Sequence, residues 1–323
     1  MRMRAIVVRS LGGPEVLRVE EVPRPSPPGE GEVTLRIRAA GVNFADTERR
    51  RGIYGSPSLP WIPGREAAGE VVATGPGVAP GLEGARVAYF SANPSGSYAE
   101  FATVPVESLF QFERELPFEE MAALPAQGLT AHGLVRFAGL VPGRCVVVLA
   151  AAGGVGQLLV QLARQVGARV IGVVSGPAKQ PVVTALGAEV VVGYERFDKA
   201  VRGLTAGRGA DVVFDSVGLA TQAQSIAALA RYGQLIHFGD ASGLPLPIDV
   251  DSLYARSLRI GAFGLDIDAD PEGAAAARLE LTAALVRGEL RMAVTKRLPL
   301  AEAAAAHRAL EDRITTGKIV LIL

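Results

Sequence analysis

The pattern of apolar and polar positions changes about a third of the way along the chain. Up to about residue 105, short apolar runs are separated by glycine and proline, as at 5–8, 32–38 and 69–74. The second of these runs alternates apolar and polar residues, which is typical of a strand with one buried face. Many short strands joined by turns predict a β-rich, barrel-like domain.

Beyond residue 118 the pattern predicts helices and buried strands. Helices are predicted at 119–124, 130–138, 271–287 and 301–312. Strands are predicted at 146–148, 169–174, 189–192, 211–215, 234–238 and 257–263. Short buried strands separated by helices predict an α/β domain with a doubly wound parallel sheet.

The chain ends on an apolar strand, 319–323, which must pair with another strand. We expect it to return to the N-terminal domain and so make that domain discontinuous. The predicted division is therefore 1–122 for the first part of the β-rich domain, 123–262 for the doubly wound domain, and 263–323 for the return.

The most informative motif is Ala151-x-Gly153-x-x-Gly156, which follows a β-branched strand and precedes a helix. A strand, a glycine-rich turn and a helix in this order form the fingerprint of a dinucleotide site, here with alanine for the first glycine. Small residues let the backbone approach a pyrophosphate, and the helix N-terminus offers it free N–H groups. Glycine turns also serve packing, but both flanks here are the ones that a dinucleotide site requires.

Composition narrows the classes of function. The 323 residues carry no net charge, so nothing favours a nucleic-acid partner. No apolar run reaches the length of a membrane span, and the run at 5–8 is too short for a signal peptide, so a cytoplasmic location is expected by default. Cys145 is the one cysteine, which excludes an internal disulfide and a multi-cysteine zinc site. We expect its thiol to be an inert core group.

The residues after the next predicted strand indicate which dinucleotide binds. In NAD-binding folds an acidic side chain about 20 residues past the glycines holds the ribose 2′-hydroxyl. Here that position is Ser175-Gly176, without Asp or Glu, and Lys179 follows. A carboxylate would repel a 2′-phosphate and a cation attracts it, so NADPH is favoured over NADH. The alternative is that Lys179 is only a solvated lysine at a helix start.

A series of short motifs runs in order through nearly the whole chain. They are AGVNFAD at 40–46, RGIY at 51–54, IPGREAAG at 62–69, GLTA at 128–131, AAGGVG at 151–156, DSVG at 215–218, FGDASG at 238–243 and TGK at 316–318. The series resembles the zinc-independent quinone oxidoreductases, the zeta-crystallin-like family of the medium-chain dehydrogenase/reductase superfamily. The resemblance implies a Rossmann domain for NADPH, a discontinuous GroES-like catalytic domain, and an active site between the two.

By position, the resemblance also implies the site residues. It places Asn43, Asp46 and Tyr54 near the nicotinamide, and Arg313 at a position where relatives carry an arginine that reaches the cofactor. The remaining cofactor-binding residues would be Thr130 near a phosphate or the nicotinamide ribose, Ala152, Gly153, Gly154 and Val155 at the pyrophosphate, Ser175, Gly176, Lys179 and Tyr194 near the 2′-phosphate, and Ser216, Phe238, Gly239 and Ser242 along the nicotinamide side.

The resemblance further implies a site without metal. Zinc-dependent members of the superfamily place a Cys where Asn43 stands and a His where Arg65 stands, and they carry a four-cysteine lobe. This chain has none of these, and its three histidines are far apart in sequence, whereas a catalytic zinc needs three protein ligands. We expect His237 in the core or the cleft and His307 on a helix surface.

The run Glu-Arg-Arg-Arg at 48–51 departs from the family pattern. Quinone-reducing relatives often have further aromatic residues just after the position of Asp46. One interpretation of the run is a solvated helix face. The other is an altered pocket mouth suited to a charged or polar substrate, so a quinone is not assumed to be the natural substrate.

The implied chemistry is hydride transfer from C4 of NADPH to the β-carbon of a conjugated carbonyl. Negative charge then builds on the carbonyl oxygen and, without zinc, needs hydrogen-bond donors or water. The Asn43 amide and the Tyr54 hydroxyl are the candidates, and Tyr54 or a water would supply the proton. Alternatively Tyr54 only packs or contacts the cofactor. Asp46 is expected to orient its neighbours through hydrogen bonds and not to act as a base.

Three functions stay open at this point. The first is an NADPH:quinone/enone oxidoreductase acting on a small conjugated carbonyl, and the second is an enoyl reductase for an acyl thioester or a natural-product intermediate. The third is a low-turnover NADPH-binding protein with a structural or RNA-binding role, although no basic stripe supports RNA. We also expect a homodimer through the apolar edge strand at 257–263.

Overall fold

The computed structural model describes residues 1–55, 57–91 and 96–323, apart from the side chains of 190–192. The chain forms two compact units. One is discontinuous and consists of Met1–Leu129 with Asp266–Leu323, and the other is Thr130–Leu265. In the part of the chain that is described, no helix has both the length and the apolar character to cross a membrane.

The discontinuous unit is built mainly from strands. They are β1 Arg2–Val7, β2 Arg18–Pro23, β3 Glu32–Val42, β4 Glu66–Thr74, β5 Arg86–Phe90, β6 Phe101–Pro105, β7 Leu109–Gln111, β14 Val294–Pro299 and β15 Lys318–Ile322. Strands β1 and β2 form an antiparallel pair of their own. The larger sheet has the order β14-β15-β3-β4-β5-β7, with β6 pairing with β3. The β-rich domain predicted from the sequence is thus confirmed.

Strand β3 shows how the sequence pattern produces this sheet. Val33, Leu35 and Ile37 are buried while Arg36 between them is exposed, so the alternation follows the pleat. The strand runs to Val42, beyond the predicted end at residue 38, because residues 39–42 are small or apolar and are all buried. This extension carries the chain to the position from which Asn43 starts a helix.

Helices of the discontinuous unit connect the strands and cover the sheet. They are α1 Phe44–Arg50, α2 Phe118–Ala123, α9 Pro271–Val286 and α10 Ala303–Glu311, with short 3₁₀ turns at Pro14–Val16, Val106–Ser108 and Leu300–Glu302. Helix α3, Pro125–Phe137, starts in this unit and ends in the other. It begins five residues earlier than predicted because Pro125 suits the first turn of a helix.

The second unit is a six-stranded parallel sheet with helical connections. Its strands are β8 Cys145–Leu149, β9 Arg169–Val173, β10 Val190–Val192, β11 Ala210–Asp215, β12 Leu229–His237 and β13 Arg259–Ala262. Its helices are α4 Gly154–Gln165, α5 Gln180–Ala185, α6 Phe197–Leu204, α7 Gln222–Ala228 and α8 Asp251–Tyr254, with a 3₁₀ turn at Pro177–Lys179. The order β10-β9-β8-β11-β12-β13 is that of a Rossmann sheet, so the predicted fold class is confirmed.

The centre of this sheet is strand β8. All five of its residues are buried, as expected for a parallel strand covered on both faces. Cys145 at its start is buried, so its predicted position in the core is confirmed. Burial raises the pKa of its thiol, which agrees with the expected lack of reactivity.

Candidate active site

The glycine turn lies at the carboxyl end of β8. Ala150 adopts a left-handed conformation, and α4 then starts at Gly154 with Gly153 as its N-cap. Among the described residues no side chain caps the helix, and its first N–H groups have no intrahelical partner. A Cβ on Gly156 would lie 2.4 Å from the Ala150 carbonyl oxygen, so this position admits only glycine. The turn is shaped as an anion cradle.

The residues predicted at the 2′-phosphate lie in two segments of this unit. Ser175 and Gly176 follow β9, the neighbour of β8, and Lys179 ends the 3₁₀ turn at Pro177–Lys179. Partial burial lowers the pKa of the Lys179 ammonium. The Tyr194 hydroxyl accepts a hydrogen bond of 3.1 Å from the Ala150 N–H at the start of the glycine turn. Its role at the 2′-phosphate stays a prediction.

The residues predicted on the nicotinamide side meet at the carboxyl ends of β11 and β12. The Phe238 N–H donates to the Asp215 carbonyl at 2.9 Å. The Ser242 hydroxyl donates to the Val217 carbonyl at 2.6 Å. A Cβ on Gly239 would lie 3.2 Å from the carbonyl oxygen of Ser216, so these two loops are in close contact. Together with the turn after β8 they surround the switch point of the sheet, where such folds bind ligands.

Thr130 and Arg313 are farther from these groups along the chain. Thr130 is partly buried within α3. Arg313 is exposed just after α10, with a left-handed backbone. Their roles toward a cofactor stay predictions.

In the discontinuous unit, Asn43 stands where β3 passes into α1. Its backbone is extended, and its N–H donates to Asp46 Oδ2 at 2.9 Å, which is half of a capping box. The same carboxylate oxygen accepts from the Tyr98 hydroxyl at 3.2 Å. Burial raises the pKa of Asp46 to about 6, although the Asn43 N–H and Lys318 oppose the shift.

The side chain of Asn43 belongs to a compact polar group with Glu66, Gln127 and Lys318, here called the Asn43 cluster. Lys318 Nζ donates to Asn43 Oδ1 at 2.8 Å, to Gln127 Oε1 at 2.8 Å and also to Glu66 Oε1. Asn43 Nδ2 donates to Glu66 Oε1 at 2.8 Å, and Gln127 Nε2 donates to Asn43 Oδ1. The ion pair of Lys318 and Glu66 is almost fully buried, and such a pair needs full hydrogen bonding to be tolerated.

Sheet register explains why these residues meet. Strand β3 is antiparallel to both β4 and β15, so its end lies beside the starts of those two strands. Glu66 is the first residue of β4 and Lys318 the first of β15. Gln127 comes from the first turn of α3, and the nearby Ala126 N–H donates to Glu66 Oε2 at 2.7 Å.

The prediction of His307 on a helix surface is wrong. The ring is fully buried, and its Nε2 lies 3.3 Å from the Tyr98 hydroxyl. Burial, with a smaller effect of Arg50, lowers the pKa of His307 to about 3, so it is neutral. The reason is that α10 packs its alanine face, Ala303 and Ala306, into the core and takes His307 with it.

Arg50 does not fit the interpretation of the run at 48–51 as a solvated helix face, whereas the interpretation as a pocket mouth stays a prediction. Its side chain is buried, donates to the Gly12 carbonyl at 3.1 Å, and forms an ion pair with Glu311. It is therefore not solvated, and it lines a surface cavity together with Arg51 and Glu311. Arg49 differs from it, because the Arg49 guanidinium lies 5.2 Å from the centre of the Tyr54 ring.

Tyr54 is not drawn into the Asn43 cluster. It lies in the turn after α1 and is half exposed. None of the hydrogen bonds described for the cluster involves its hydroxyl. The structure therefore brings Asn43 and Asp46 together, while the catalytic role of Tyr54 stays a prediction.

Glu66, Gln127 and Lys318 were not predicted as site residues. A usable indication was present for two of them, since each is a charged residue at the first position of an apolar strand. A charge at such a position is costly to bury unless it has a partner. The sequence does not show which partner that is.

A zinc ion does not fit the Asn43 cluster. Zinc sites use thiolate, imidazole and carboxylate ligands, whereas here two amides and one carboxylate surround the Lys318 ammonium. Within residues 1–55, 57–91 and 96–323, no group of three or more His, Cys, Asp or Glu side chains could hold a metal. That activity needs no metal stays a prediction.

Together, a parallel sheet with a glycine turn at its switch point and a separate β-rich unit define a dinucleotide-binding oxidoreductase class. Comparison with known proteins agrees. Residues 29–114 match the family model described as alcohol dehydrogenase GroES-like domain, and residues 154–277 match the model described as zinc-binding dehydrogenase.

Similar proteins narrow the class. The chain is 38% identical to a quinone oxidoreductase of Pseudomonas aeruginosa, covering 99% of both chains. It is 37% identical to a 2-haloacrylate reductase of a Burkholderia species, covering 98% of both. A mycobacterial protein whose structure was solved in complex with NADPH has a TM-score of 0.92 at 39% identity, covering 99% of this chain and all of that one. The chain belongs to the quinone oxidoreductase family of the medium-chain dehydrogenase/reductase superfamily.

Proposed function

We propose that this protein transfers a hydride from NADPH to the β-carbon of a conjugated carbonyl, such as a quinone, an enone or an enal. The observation that carries the proposal is the Asn43 amide, which is held in a polar cluster by the buried Lys318 ammonium and the Glu66 carboxylate. An oriented amide can stabilise the negative charge that hydride transfer builds on a carbonyl oxygen. The family relationship supports the same reaction type.

NADPH as the cofactor is supported by the second unit. The glycine turn offers helix N–H groups to a pyrophosphate. No carboxylate follows β9 to hold a 2′-hydroxyl, and Lys179 lies three residues after Gly176. The NADPH found in the mycobacterial relative agrees with this choice.

The proposed reaction divides the work between cofactor and protein. NADPH supplies the hydride, and the β-carbon of the substrate accepts it, which leaves an enolate. The Asn43 amide donates to the enolate oxygen, and a proton then goes to the α-carbon. The proposal requires the nicotinamide to reach a carbonyl held at Asn43.

Tyr54 is the proposed proton source because its side chain is exposed and can meet a ligand, whereas Tyr98 is buried and bonded to Asp46. Replacing Tyr54 by Phe should lower kcat by about 100-fold, the lower end of general acid catalysis, without weakening NADPH. A kcat close to wild type would instead assign the proton to a water.

A second candidate substrate is a conjugated carboxylate. Arg49 lies against Tyr54, and its Nε is buried without a hydrogen-bond partner in the described part of the chain. A guanidinium so placed suits a carboxylate, and the Burkholderia relative is named a 2-haloacrylate reductase. Reduction of enoyl thioesters, and a binding role with little turnover, are the competing functions.

One screen separates these functions. NADPH oxidation is followed with naphthoquinones, neutral enones, 2-haloacrylates and enoyl thioesters, each with and without a chelator. Turnover of quinones or enones, unaffected by the chelator, supports the proposal. Turnover confined to haloacrylates or to thioesters selects a different substrate class, and no oxidation with any of them contradicts the enzymatic function.

We also propose a homodimer. Strand β13 is paired with β12 on one side only, among the residues described. An open edge of this kind can pair with its copy across a two-fold axis. Light scattering at micromolar concentration tests this, and a monomeric mass would contradict it.

A further inference from the structure

The Asn43 amide lies between a cation and an anion. Lys318 Nζ is 2.8 Å from Asn43 Oδ1, and Glu66 Oε1 is 2.8 Å from Asn43 Nδ2. An ammonium group only donates hydrogen bonds and a carboxylate only accepts them. The two charges therefore decide which end of the amide is oxygen and which is nitrogen. A neutral hydroxyl in either place could accept both orientations.

When the hydrogen-bond donors and acceptors around Asn43 are matched, one of its two amide protons has no acceptor among the described contacts. Oδ1 accepts from Lys318 and from Gln127, which uses both of its lone pairs. Nδ2 gives one of its two protons to Glu66. The partly exposed Asn43 thus keeps one N–H that has no acceptor among the described contacts.

Lys318 itself has no proton to offer a substrate. Its three N–H groups go to Asn43, Glu66 and Gln127, and its side chain is 2% exposed. The ammonium therefore acts on the reaction only through the groups that it holds.

Glu66 is fixed independently of Lys318. The Ala126 N–H holds its second oxygen at 2.7 Å. The first oxygen occupies space that opens only because residue 41 is glycine, since a Cβ on Gly41 would lie 2.4 Å from it. The sheet thus leaves a defined place for this carboxylate beside the amide.

We propose that Lys318, together with Glu66 and Gln127, is a positioning residue that keeps one N–H of Asn43 directed at the carbonyl oxygen of the substrate. This inference rests on the proposed function. Without the two charges the amide could turn over and present Oδ1, whose lone pairs repel a developing oxyanion. The buried ion pair of Lys318 and Glu66 thereby fixes the orientation of the Asn43 amide. A metal ion at the site would stabilise the oxyanion itself and make this orientation unnecessary.

The test needs variants that leave no lone buried charge, because removing one partner of such a pair strongly destabilises a protein. The main variant combines Lys318→Met with Glu66→Gln. A milder variant, Gln127→Met, removes two hydrogen bonds of the cluster and keeps the ion pair. The matched control is Lys296→Met, which changes an exposed lysine on β14.

Single-turnover hydride transfer from NADPH to a naphthoquinone is the first measurement. We expect a rate about 100-fold lower in the double variant, as for loss of an oxyanion donor, and about tenfold lower in Gln127→Met, as for loss of a hydrogen bond. NADPH affinity and the control stay at wild-type level. In an Asn43→Ala background neither variant has a further effect, since both act through Asn43.

The inference is overturned if Gln127→Met and the double variant transfer hydride at the wild-type rate. It is also overturned if, combined with Asn43→Ala, they lower the rate further than Asn43→Ala alone. If the double variant does not fold, Gln127→Met alone decides by the same criterion.

The second measurement does not depend on turnover. Asn43 and Asn93 are the two asparagines of the chain, so selective ¹⁵N labelling of asparagine side chains gives an NMR spectrum with two amide groups, of which Asn43→Ala assigns one. We expect one Asn43 proton to be shifted downfield and slow to exchange, and this difference to vanish in the double variant. An Asn43 signal that the variants leave unchanged overturns the inference. A wild type with this signal but no oxidation of NADPH would contradict the proposed function alone.

Discussion

The glycine turn of the nucleotide unit and the Asn43 cluster of the β-rich unit are built in opposite ways. The turn uses the backbone of seven consecutive residues, 150–156, and its side chains are nearly absent. The cluster uses side chains from four separate segments, and Lys318 reaches Glu66 from 252 residues away in sequence. A backbone site is therefore visible in a local motif, whereas a side-chain site depends on strand pairing.

This difference has consequences for mutation. A backbone cradle fails when a side chain is added, because the added atoms have nowhere to go. A side-chain cluster fails when one member is removed, because its partners lose their orientation and their hydrogen bonds. Each kind of failure can be tested separately.

The largest effect is expected at the side-chain site. Asn43→Ala should slow hydride transfer by about 2.7–4 kcal/mol in activation free energy, as for loss of one oxyanion donor. NADPH affinity should not change. Stopped-flow measurement of NADPH decay checks the rate. Gln234→Ala is the control, because it removes a hydrogen bond from a side-chain amide to the Ala138 carbonyl within the nucleotide unit. A normal hydride-transfer rate would remove Asn43 from the mechanism.

At the backbone site, Gly156→Ala should weaken NADPH binding and cost about 1–3 kcal/mol of stability or more, as overpacking does. The reason is the 2.4 Å approach of the new Cβ to the Ala150 carbonyl oxygen. Fluorescence titration with NADPH and thermal unfolding measure the two effects. Gly203→Ala in α6 is the matched control, because a Cβ there meets nothing within 4 Å. Equal behaviour of the two variants would show that the turn tolerates a side chain.

Removing the charge of Lys179, at the end of the 3₁₀ turn after β9, should affect the binding of one cofactor only. Lys179→Ala is expected to weaken NADPH by about 1.5–3 kcal/mol, the value of a charge-assisted contact to phosphate. NADH, which lacks that phosphate, should bind as before. Titrations with both cofactors check this, and Lys199→Ala, an exposed lysine in α6, is the control. A similar loss for both cofactors would place Lys179 outside the 2′-phosphate site.

The effect with the least bearing on catalysis concerns stability and pH. The pKa of His307 in the folded protein is about 3, below the ordinary value of 6.5. Its contribution to the free energy of unfolding is therefore complete above pH 6.5 and is lost as pH falls toward 3. Asp46, whose pKa is raised to about 6, has the opposite effect, because it increases the free energy of unfolding as pH falls from about 6 to 4. His307→Gln removes only the first effect.

The stability difference between wild type and His307→Gln should therefore shrink by about 1.4 kcal/mol for each pH unit below 6.5. Urea unfolding at several pH values between 7 and 4 measures it, and the contribution of Asp46 cancels in the difference. A difference that does not vary with pH would mean that His307 is protonated in the folded protein.

The sequence alone determined those features of the protein that depend only on residues close together in the chain. The valine-rich strand β8, the glycine turn, and the absence of an acid near Ser175 are local features, and local periodicity and backbone sterics control them. The alternation of β3 likewise decided which of its side chains are buried.

Tertiary structure alone decided which distant side chains meet. Glu66, Gln127 and Lys318 converge on Asn43 because β3 pairs with β4 on one side and with β15 on the other. A shift of one residue in either pairing would turn the strand side chains to the other face. The burial of His307 and Arg50 was decided in the same way, by how α10 and α1 pack on the unit. The physical reason is that the type of a charged or aromatic residue does not identify its partner, because the two are distant in sequence and meet only when the strands and helices pack.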